Sequence, residues 1–210
     1  TQERRGIANI MAFVVIGYGA SLRGEEVPLA SIKGLNKFWE ETRRRKLVMV
    51  TLRGKFKGED NLRWHLVPIV DVTSSGIQVR KWVRRLLFIR CRVDGVEEGP
   101  LFVNEAGKQA RLSDYNSDFQ TFITVARERH PNKVFSSKVE VEDYNLRRSL
   151  RRGSTTQAHN NGVPAPTIEL INRWRKKEAA KGAEPGLAMR QVYTQALSVL
   201  DTTLRYSRSL

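Results

Sequence analysis

Residues 47–70 read LVMVTLRGKFKGEDNLRWHLVPIV, and this stretch decides the fold class. Its two ends, residues 47–53 and 62–70, are rich in β-branched and aromatic residues and predict two strands. The polar, glycine-punctuated GKFKGEDN between them predicts a hairpin with a long tip. Most of the remaining chain has helical periodicity. We therefore predict a mainly α domain with a small antiparallel β-sheet, which is an α+β fold.

Helical spacing predicts elements on both sides of the hairpin. Before it, a short irregular or helical stretch follows a first helix whose packed stripe comprises Ile7, Ile10, Met11, Val14, Val15 and Tyr18. After it, one helix capped by Thr73, Ser74 and Ser75 carries Val79, Trp82, Val83 and Leu86. Residues 91–112 read as a loop. The next helix, capped by Ser113, carries Tyr115, Phe119, Phe122, Ile123 and Ala126.

The C-terminal third predicts three more helices. The first runs from about residue 142 to residue 161 and ends at Gly162, a residue suited to a left-handed cap. Pro164 and Pro166 start the next, which carries Ile168, Ile171 and Trp174. A polar linker at 175–188 precedes the last, predicted at 187–204 with an inward face of Met189, Val192, Ala196, Leu200 and Leu204.

The charge of the chain points to a polyanion. Its 37 Lys and Arg residues against 22 Asp and Glu give a net charge of +15, which favours nucleic acid. The single Cys91 excludes an internal disulfide, and the three histidines lack zinc-ligand spacing. We expect no metal, no cofactor and no membrane span. Because the chain begins at Thr1, we expect it to be part of a longer protein.

A run of arginines is the most informative cluster. YNLRRSLRRG places Arg147, Arg148, Arg151 and Arg152 on little more than one predicted helical turn. Arg148 and Arg151 are expected to share a face. Four neighbouring cations repel one another unless an anion lies between them. A solvated basic face against the DNA backbone is the simpler alternative.

A second arginine stands in a turn after the first helix. Arg23 is followed by Glu25 and Glu26 in ASLRGEEV. Taken alone, such a cluster is more often a structural ion pair than a site.

Together these segments resemble the ordered boxes of the tyrosine recombinase (phage-integrase-like) family. ASLRGEEV is similar to the first arginine box, with Arg23 and Glu26. SLRRGSTTQAHNNGV is similar to the second, because Gly162 follows Arg151 by 11 positions as in the family. Trp174 lies 12 positions beyond Gly162, where the family has His or Trp. MRQVYTQ resembles the tyrosine box at Tyr193. GKFKG resembles the lysine turn, with Lys55 at the usual place and Lys57 as the near alternate. Each box is weak alone, but their order over residues 7–204 is specific.

The resemblance implies roles for these residues. Arg23 and Arg151 would hold the oxygens of the reacting phosphate, and Glu26 would orient Arg23. Lys55 would protonate the departing 5′ oxygen as general acid, although a plain phosphate contact is equally compatible with its position. Trp174 would donate its indole N–H to the phosphate, or else pack in the core. Tyr193 would attack and form a 3′-phosphotyrosine.

Two departures from the family pattern affect these roles. Arg148 stands where relatives carry a proton-handling His; a guanidinium is a poor base but can hold phosphate. The gap between Trp174 and Tyr193 is also long, so Tyr206 competes with Tyr193 as nucleophile. Either tyrosine could instead simply pack.

The expected function is DNA strand cleavage and rejoining during recombination or integration of a mobile element. Residues 1–210 would form the catalytic domain, with a three-stranded sheet and without the N-terminal core-binding domain. Partners would be double-stranded DNA and further copies of the chain. The location would be intracellular, in the nucleus of a eukaryotic host and otherwise in the cytoplasm or nucleoid. Further DNA contacts are assigned to Lys57, Arg147, Arg152, Arg175 and Lys176. The alternatives are type IB topoisomerase-like relaxation and a catalytically inactive DNA-binding protein derived from a recombinase.

Overall fold

The structure, a computed structural model, describes residues 2–54, 62–131, 140–172 and 196–210. Within these ranges the chain is mainly helical with a two-stranded antiparallel sheet, which confirms the predicted fold class. The helices are α1 (Gln2–Gly19), α2 (Ile32–Arg44), α3 (Val79–Phe88), α4 (Leu112–Arg129), α5 (Ser149–Asn160), α6 (Ala165–Asn172) and α7 (Ala196–Ser209). Among the described residues, no helix is long and apolar enough to cross a membrane.

The predicted hairpin is confirmed. Strands β1 (Leu47–Gly54) and β2 (Arg63–Val70) pair antiparallel, with Leu47 opposite Val70 and Gly54 opposite Arg63. Val48, Val50 and Leu52 are fully buried, because alternate residues of β1 face the core. A single bridge between Ala30 and Leu52 brings a third segment alongside β1. The predicted tip, with Lys55 and Lys57, lies outside the described residues.

Helix α1 runs through the middle of the core. More of its surface is buried than the predicted apolar stripe included. Phe13 and Ile16 are fully buried although they lie off that stripe, whereas Ile7 is 46% exposed. The reason is that α3, α4 and α5 all pack against α1, so most of its circumference is covered. Phe13 packs its ring edge-on to Phe102, at 5.5 Å between centroids.

The caps predicted for α3 and α4 were wrong. Thr73 accepts the Ile77 N–H at 3.1 Å and so closes a turn before α3, whose N-cap is Gln78. At α4 the Asp114 carboxylate accepts the Arg111 N–H at 2.8 Å, which leaves Ser113 inside the first turn. At α3 the Val79 N–H, which a cap would have satisfied, donates instead to the Asp71 carbonyl at 2.8 Å. On α4, Phe122 is also exposed rather than packed.

Helix α5 begins seven residues later than predicted. A 3₁₀ turn forms at Val141–Asp143, and α5 itself begins at Ser149. The helix begins late in the sequence because the Leu146 N–H donates to Asn116 Oδ1 of α4, at 3.1 Å, and not to a carbonyl of its own helix. The predicted end is confirmed: Gly162 adopts a φ of 75°, and the Val163 N–H returns to the Ala158 carbonyl.

The last helix packs through a polar face that the apolar pattern did not identify. Thr203, Tyr206 and Ser207 are buried, whereas the predicted Leu204 is half-buried. Helix α7 contacts β2, α5 and α6, and Tyr206 and Leu210 form a small second core with Ala158 and Ile168. Predicted residues 173–195, including the linker, Met189 and Val192, lie outside the described residues.

Gly17 and Gly24 allow the C-terminal part of α1 and the turn after it to lie close to α5 and the residues before α5. A Cβ on Gly17 would lie 2.5 Å from Leu150 Cδ1, and one on Gly24 would collide with the carbonyl oxygen of Leu146. The Gly24 N–H donates to the Arg147 carbonyl at 3.3 Å. Absence of a side chain at Gly24 therefore sets the distance between the Arg23 turn and the residues before α5.

Gly24→Ala should destabilise the fold by about 1–3 kcal/mol, because the obstructing atom is backbone and the two segments must separate. The free energy of unfolding in urea measures this change. Gly6→Ala is the matched control: Gly6 is helical and nothing lies within 4 Å of the added methyl group. It should stabilise the chain by about 0.5–1 kcal/mol. Equal effects from the two substitutions would contradict the assigned role of Gly24.

Candidate active site

The centre of the candidate site is the Glu26 carboxylate, which contacts two arginines that are distant in sequence. Arg151 donates from Nη2 to Glu26 Oε2 at 3.0 Å, and Arg23 Nη1 lies 3.6 Å from Glu26 Oε1. The Glu26 side chain is only 6% exposed. The predicted pairing of Glu26 with Arg23 is confirmed, and the same carboxylate also holds Arg151.

Arg151 is held from three directions. Besides its bond to Glu26, its Nε donates to the Ser21 carbonyl at 2.8 Å and its Nη1 to the Asn172 carbonyl at 3.4 Å. Its side chain is 8% exposed. The planar guanidinium can engage acceptors in several directions at once, so these contacts fix its orientation.

Arg23 is fixed by its own turn. The Glu26 Oε2 atom accepts the Arg23 backbone N–H at 2.8 Å, and the Glu26 N–H returns to the Arg23 carbonyl at 2.9 Å. The Arg23 side chain is 32% exposed. Of the two arginines, Arg23 is therefore the more accessible to a ligand.

The other three arginines of the run form an exposed basic rim. Arg147 pairs with Glu25 at 3.1 Å, with both side chains more than half exposed. Arg148 is the N-cap of α5 and Arg152 lies in its first turn, and both are exposed. The expected shared face of Arg148 and Arg151 was wrong, because Arg148 precedes the helix and points to solvent whereas Arg151 is buried.

The charge balance of the cluster favours an anionic ligand. Two guanidinium groups share one buried carboxylate, so the group of three carries one excess positive charge. Arg148 and Arg152 add two more positive charges at the N-terminus of α5. The cluster therefore has the charge to bind an anion, and electrostatic interactions are strongest at its buried members, where water is excluded.

The remaining assigned residues divide into two groups. Lys55, Lys57, Trp174, Arg175, Lys176 and Tyr193 lie outside the described residues. Tyr206, the competing nucleophile, is fully buried and donates its hydroxyl to Ser154 Oγ at 3.3 Å. Burial raises the pKa of the neighbouring Tyr18, and Tyr206 raises it further. A phenol in this position packs and hydrogen-bonds, which argues against attack by Tyr206 in this conformation.

Sequence reasoning missed the groups that hold Arg151. Ser21, Ser154 and Asn172 are all fully buried and hydrogen-bonded around it. A partial signal exists on α5, where Leu150, Ser154 and Ala158 follow one another at intervals of four and define an inward face next to Arg151. An arginine beside such a face is expected to need buried acceptors.

Comparison of the chain with models of known protein families, with curated protein sequences and with solved structures gave no match.

Glu26→Gln should destabilise the fold by about 3 kcal/mol, because it leaves the buried Arg151 without its counter-charge and removes that of the partly exposed Arg23. Glu25→Gln is the matched control, since the exposed Glu25–Arg147 pair contributes less than about 1 kcal/mol. Urea unfolding measures both variants. Sulfate should stabilise Glu26→Gln more than the unmodified chain, because it can replace the lost charge. Equal stability of the two variants would show that the three groups are not an electrostatic unit.

Proposed function

We propose that this chain is the catalytic domain of a tyrosine recombinase, which cleaves and rejoins DNA strands through a covalent 3′-phosphotyrosine. The observation that carries the proposal is the meeting of Arg23 and Arg151 at one carboxylate. Glu26 and Arg151 are 125 residues apart in the chain, and the two arginines are the ones assigned to the first and second boxes. The mainly helical fold with its small sheet is compatible with a recombinase catalytic domain.

The chemistry requires positive charge fixed in advance. Attack of a phenol on a phosphodiester concentrates negative charge on the non-bridging oxygens, and arginine forks bind such oxygens bidentately. Arg151 is already oriented by its contacts with Ser21, Asn172 and Glu26, so little reorganisation is needed when phosphate arrives. Glu26 acts as a positioning residue, which holds both arginines.

The exposed rim supplies affinity for DNA. Arg148 and Arg152 are exposed at the start of α5, where they can contact backbone phosphates beside the reacting one. In this proposal Arg148 binds phosphate and does not act as a base. Tyr193 attacks, Lys55 protonates the leaving oxygen and Trp174 donates to the phosphate. Assembly of further copies on DNA remains a prediction.

A catalytically inactive DNA-binding protein is the second candidate. One observation favours it: Arg151 is 8% exposed and bound on three sides, which is also what a structural ion pair looks like. The basic rim would bind DNA in either case, with log affinity falling linearly with log salt concentration. Type IB topoisomerase-like relaxation uses the same chemistry, and strand exchange between two duplexes separates it from recombination.

The proposal predicts that a nicked suicide duplex traps a protein–DNA adduct that resists denaturation. The adduct should be absent in Tyr193→Phe, which removes only the attacking oxygen. It should still form in Tyr206→Phe, because that phenol is buried away from solvent. Arg151→Ala should slow adduct formation by about 10²–10³, which is typical for loss of one preorganised donor. Denaturing electrophoresis of radiolabelled duplex measures each rate.

Three results would contradict parts of this proposal. An adduct that forms in Tyr193→Phe but not in Tyr206→Phe would mean that α7 detaches and that Tyr206 is the nucleophile. Binding without an adduct from any form of the chain would favour the inactive DNA-binding protein. An unchanged rate in Arg151→Ala would remove the arginine pair from the chemistry.

A further inference from the structure

A line of buried polar side chains connects the last helix with the arginine site. Tyr206 of α7 donates to Ser154 Oγ at 3.3 Å, and Ser154 Oγ lies 3.0 Å from Ser21 Oγ. Ser21 then donates to Asn172 Oδ1 at 2.8 Å. The four residues come from α7, α5, the turn after α1 and the end of α6. The line therefore joins four separate segments.

Water cannot replace any of these bonds. All four residues have a relative exposure of 0%. Buried polar groups in proteins are almost always paired, because an unpaired one has lost its bond to water without compensation. The single Ser154 hydroxyl proton has Ser21 Oγ at 3.0 Å and the Arg151 carbonyl at 3.1 Å as acceptors. Removing the Tyr206 hydroxyl therefore takes away the donor to an oxygen that has no access to solvent.

The line ends on the two residues whose carbonyls orient Arg151. Ser21 and Asn172 hydrogen-bond to each other through their side chains, and their carbonyls accept from Arg151 Nε and Nη1. Ser21 has a φ of 49°, in the left-handed region that residues other than glycine rarely occupy. Such a conformation persists only when surrounding contacts hold it. The backbone bonds that end α1 hold this conformation, from the Ser21 N–H to the Tyr18 carbonyl and from the Leu22 N–H to the Gly17 carbonyl. The contacts of the Ser21 hydroxyl with Ser154 and Asn172 add to that restraint.

We propose that Tyr206 is a positioning residue for Arg151. When α7 is packed against α5, the Tyr206 hydroxyl holds Ser154 and Ser154 holds the Ser21 side chain. The Ser21 carbonyl in turn accepts from the Arg151 guanidinium. Tyr206 itself touches no phosphate. The importance of this role for DNA cleavage rests on the proposed function, but the coupling between α7 and Arg151 does not.

The coupling works in both directions. If packing of α7 orders Arg151, an anion that binds the ordered Arg151 more tightly must also favour the packed position of α7. Its affinity and the equilibrium constant for packing of α7 then change by the same factor. Helix α7 is also tied to β2, where the Val70 N–H donates to Ser207 Oγ at 3.1 Å. Anion binding at the arginine site and packing of α7 are consequently coupled equilibria, so each favours the other.

The test measures solvent exchange of arginine Nε–H groups by NMR in the intact chain. Tyr206→Phe keeps the ring and its packing, so the fold should persist. We expect the Arg151 Nε–H to exchange about tenfold faster, which is the effect of losing roughly one net hydrogen bond. The Nε–H of Arg80, which donates to Asp71 at 2.9 Å, serves as an internal reference and should not change.

Tyr18→Phe is the matched control variant. Tyr18 lies beside Gly153 of α5 and next to Tyr206, and within the described ranges its hydroxyl has no hydrogen-bond partner. Removing the Tyr18 hydroxyl should leave the solvent-exchange rate of the Arg151 Nε–H unchanged. Ser154→Ala interrupts the same line at its next member, so it should reproduce the Tyr206→Phe effect. Combining the two should add little, because both remove one connection.

Unchanged Arg151 exchange in Tyr206→Phe, or equal acceleration at Arg151 and Arg80, would overturn the positioning role. Adduct formation on a nicked duplex supplies a second readout. Tyr206→Phe should slow the adduct about tenfold while DNA affinity stays within about twofold, since the basic rim is untouched. If the unmodified chain forms no adduct, the proposed function fails, and the exchange measurement alone decides the positioning role. Normal adduct kinetics with faster Arg151 exchange would limit the role to structure and overturn its link to catalysis.

Discussion

The contact of two arginines with one buried carboxylate constrains how the turn after α1, α5 and α6 are placed. Glu26 is 6% exposed and Arg151 8% exposed, and neither charge is tolerable in such surroundings without the other. The turn after α1 must therefore meet α5 at a fixed distance, which Gly17 and Gly24 permit. The carbonyls of Ser21 and Asn172 complete the surroundings of Arg151, so α6 is drawn to the same place. An ion pair that depends on the relative positions of three segments is consistent with a site as well as with a structural element.

The position of this cluster explains how the fold serves it. Helix α1 is buried along most of its length and packs against α3, α4 and α5, so its C-terminal end is a rigid point of attachment. Ser21 and Arg23 follow that end directly. Helix α5 presents Leu150 and Ala158 to the core and Arg151 to Glu26, while Arg148 and Arg152 face solvent. Helix α5 and the two residues before it thus carry both the buried charge and the exposed rim. In the proposed function, this arrangement would orient one phosphate and bind its neighbours.

The sequence predicted the parts of this fold that apolar periodicity controls. Strands β1 and β2 were located to within a residue, because alternation and β-branched residues specify a half-buried hairpin. The pairing of Glu26 with Arg23 was also predictable, since both lie in one turn. The late start of α5 was not predictable, because it depends on Asn116 of α4 accepting the Leu146 N–H. Likewise, the inward face of α7 uses Thr203, Tyr206 and Ser207, whose burial depends on partners elsewhere in the chain. Polar residues that are buried by long-range bonds leave no periodic signal.

The central claim is that Arg23 and Arg151 bind one phosphate together, and a crystal structure of the chain on a nicked duplex tests it most directly. The measured quantity is the distance from each guanidinium to the nearest phosphate oxygen. We expect both groups to lie within about 3.2 Å of oxygens of the same phosphate, with Glu26 still holding them from behind. A duplex bound only along Arg147, Arg148 and Arg152, with Arg151 still enclosed by Glu26, Ser21 and Asn172, would contradict the claim. The arginine pair would then be structural, and the chain a DNA-binding protein without this chemistry.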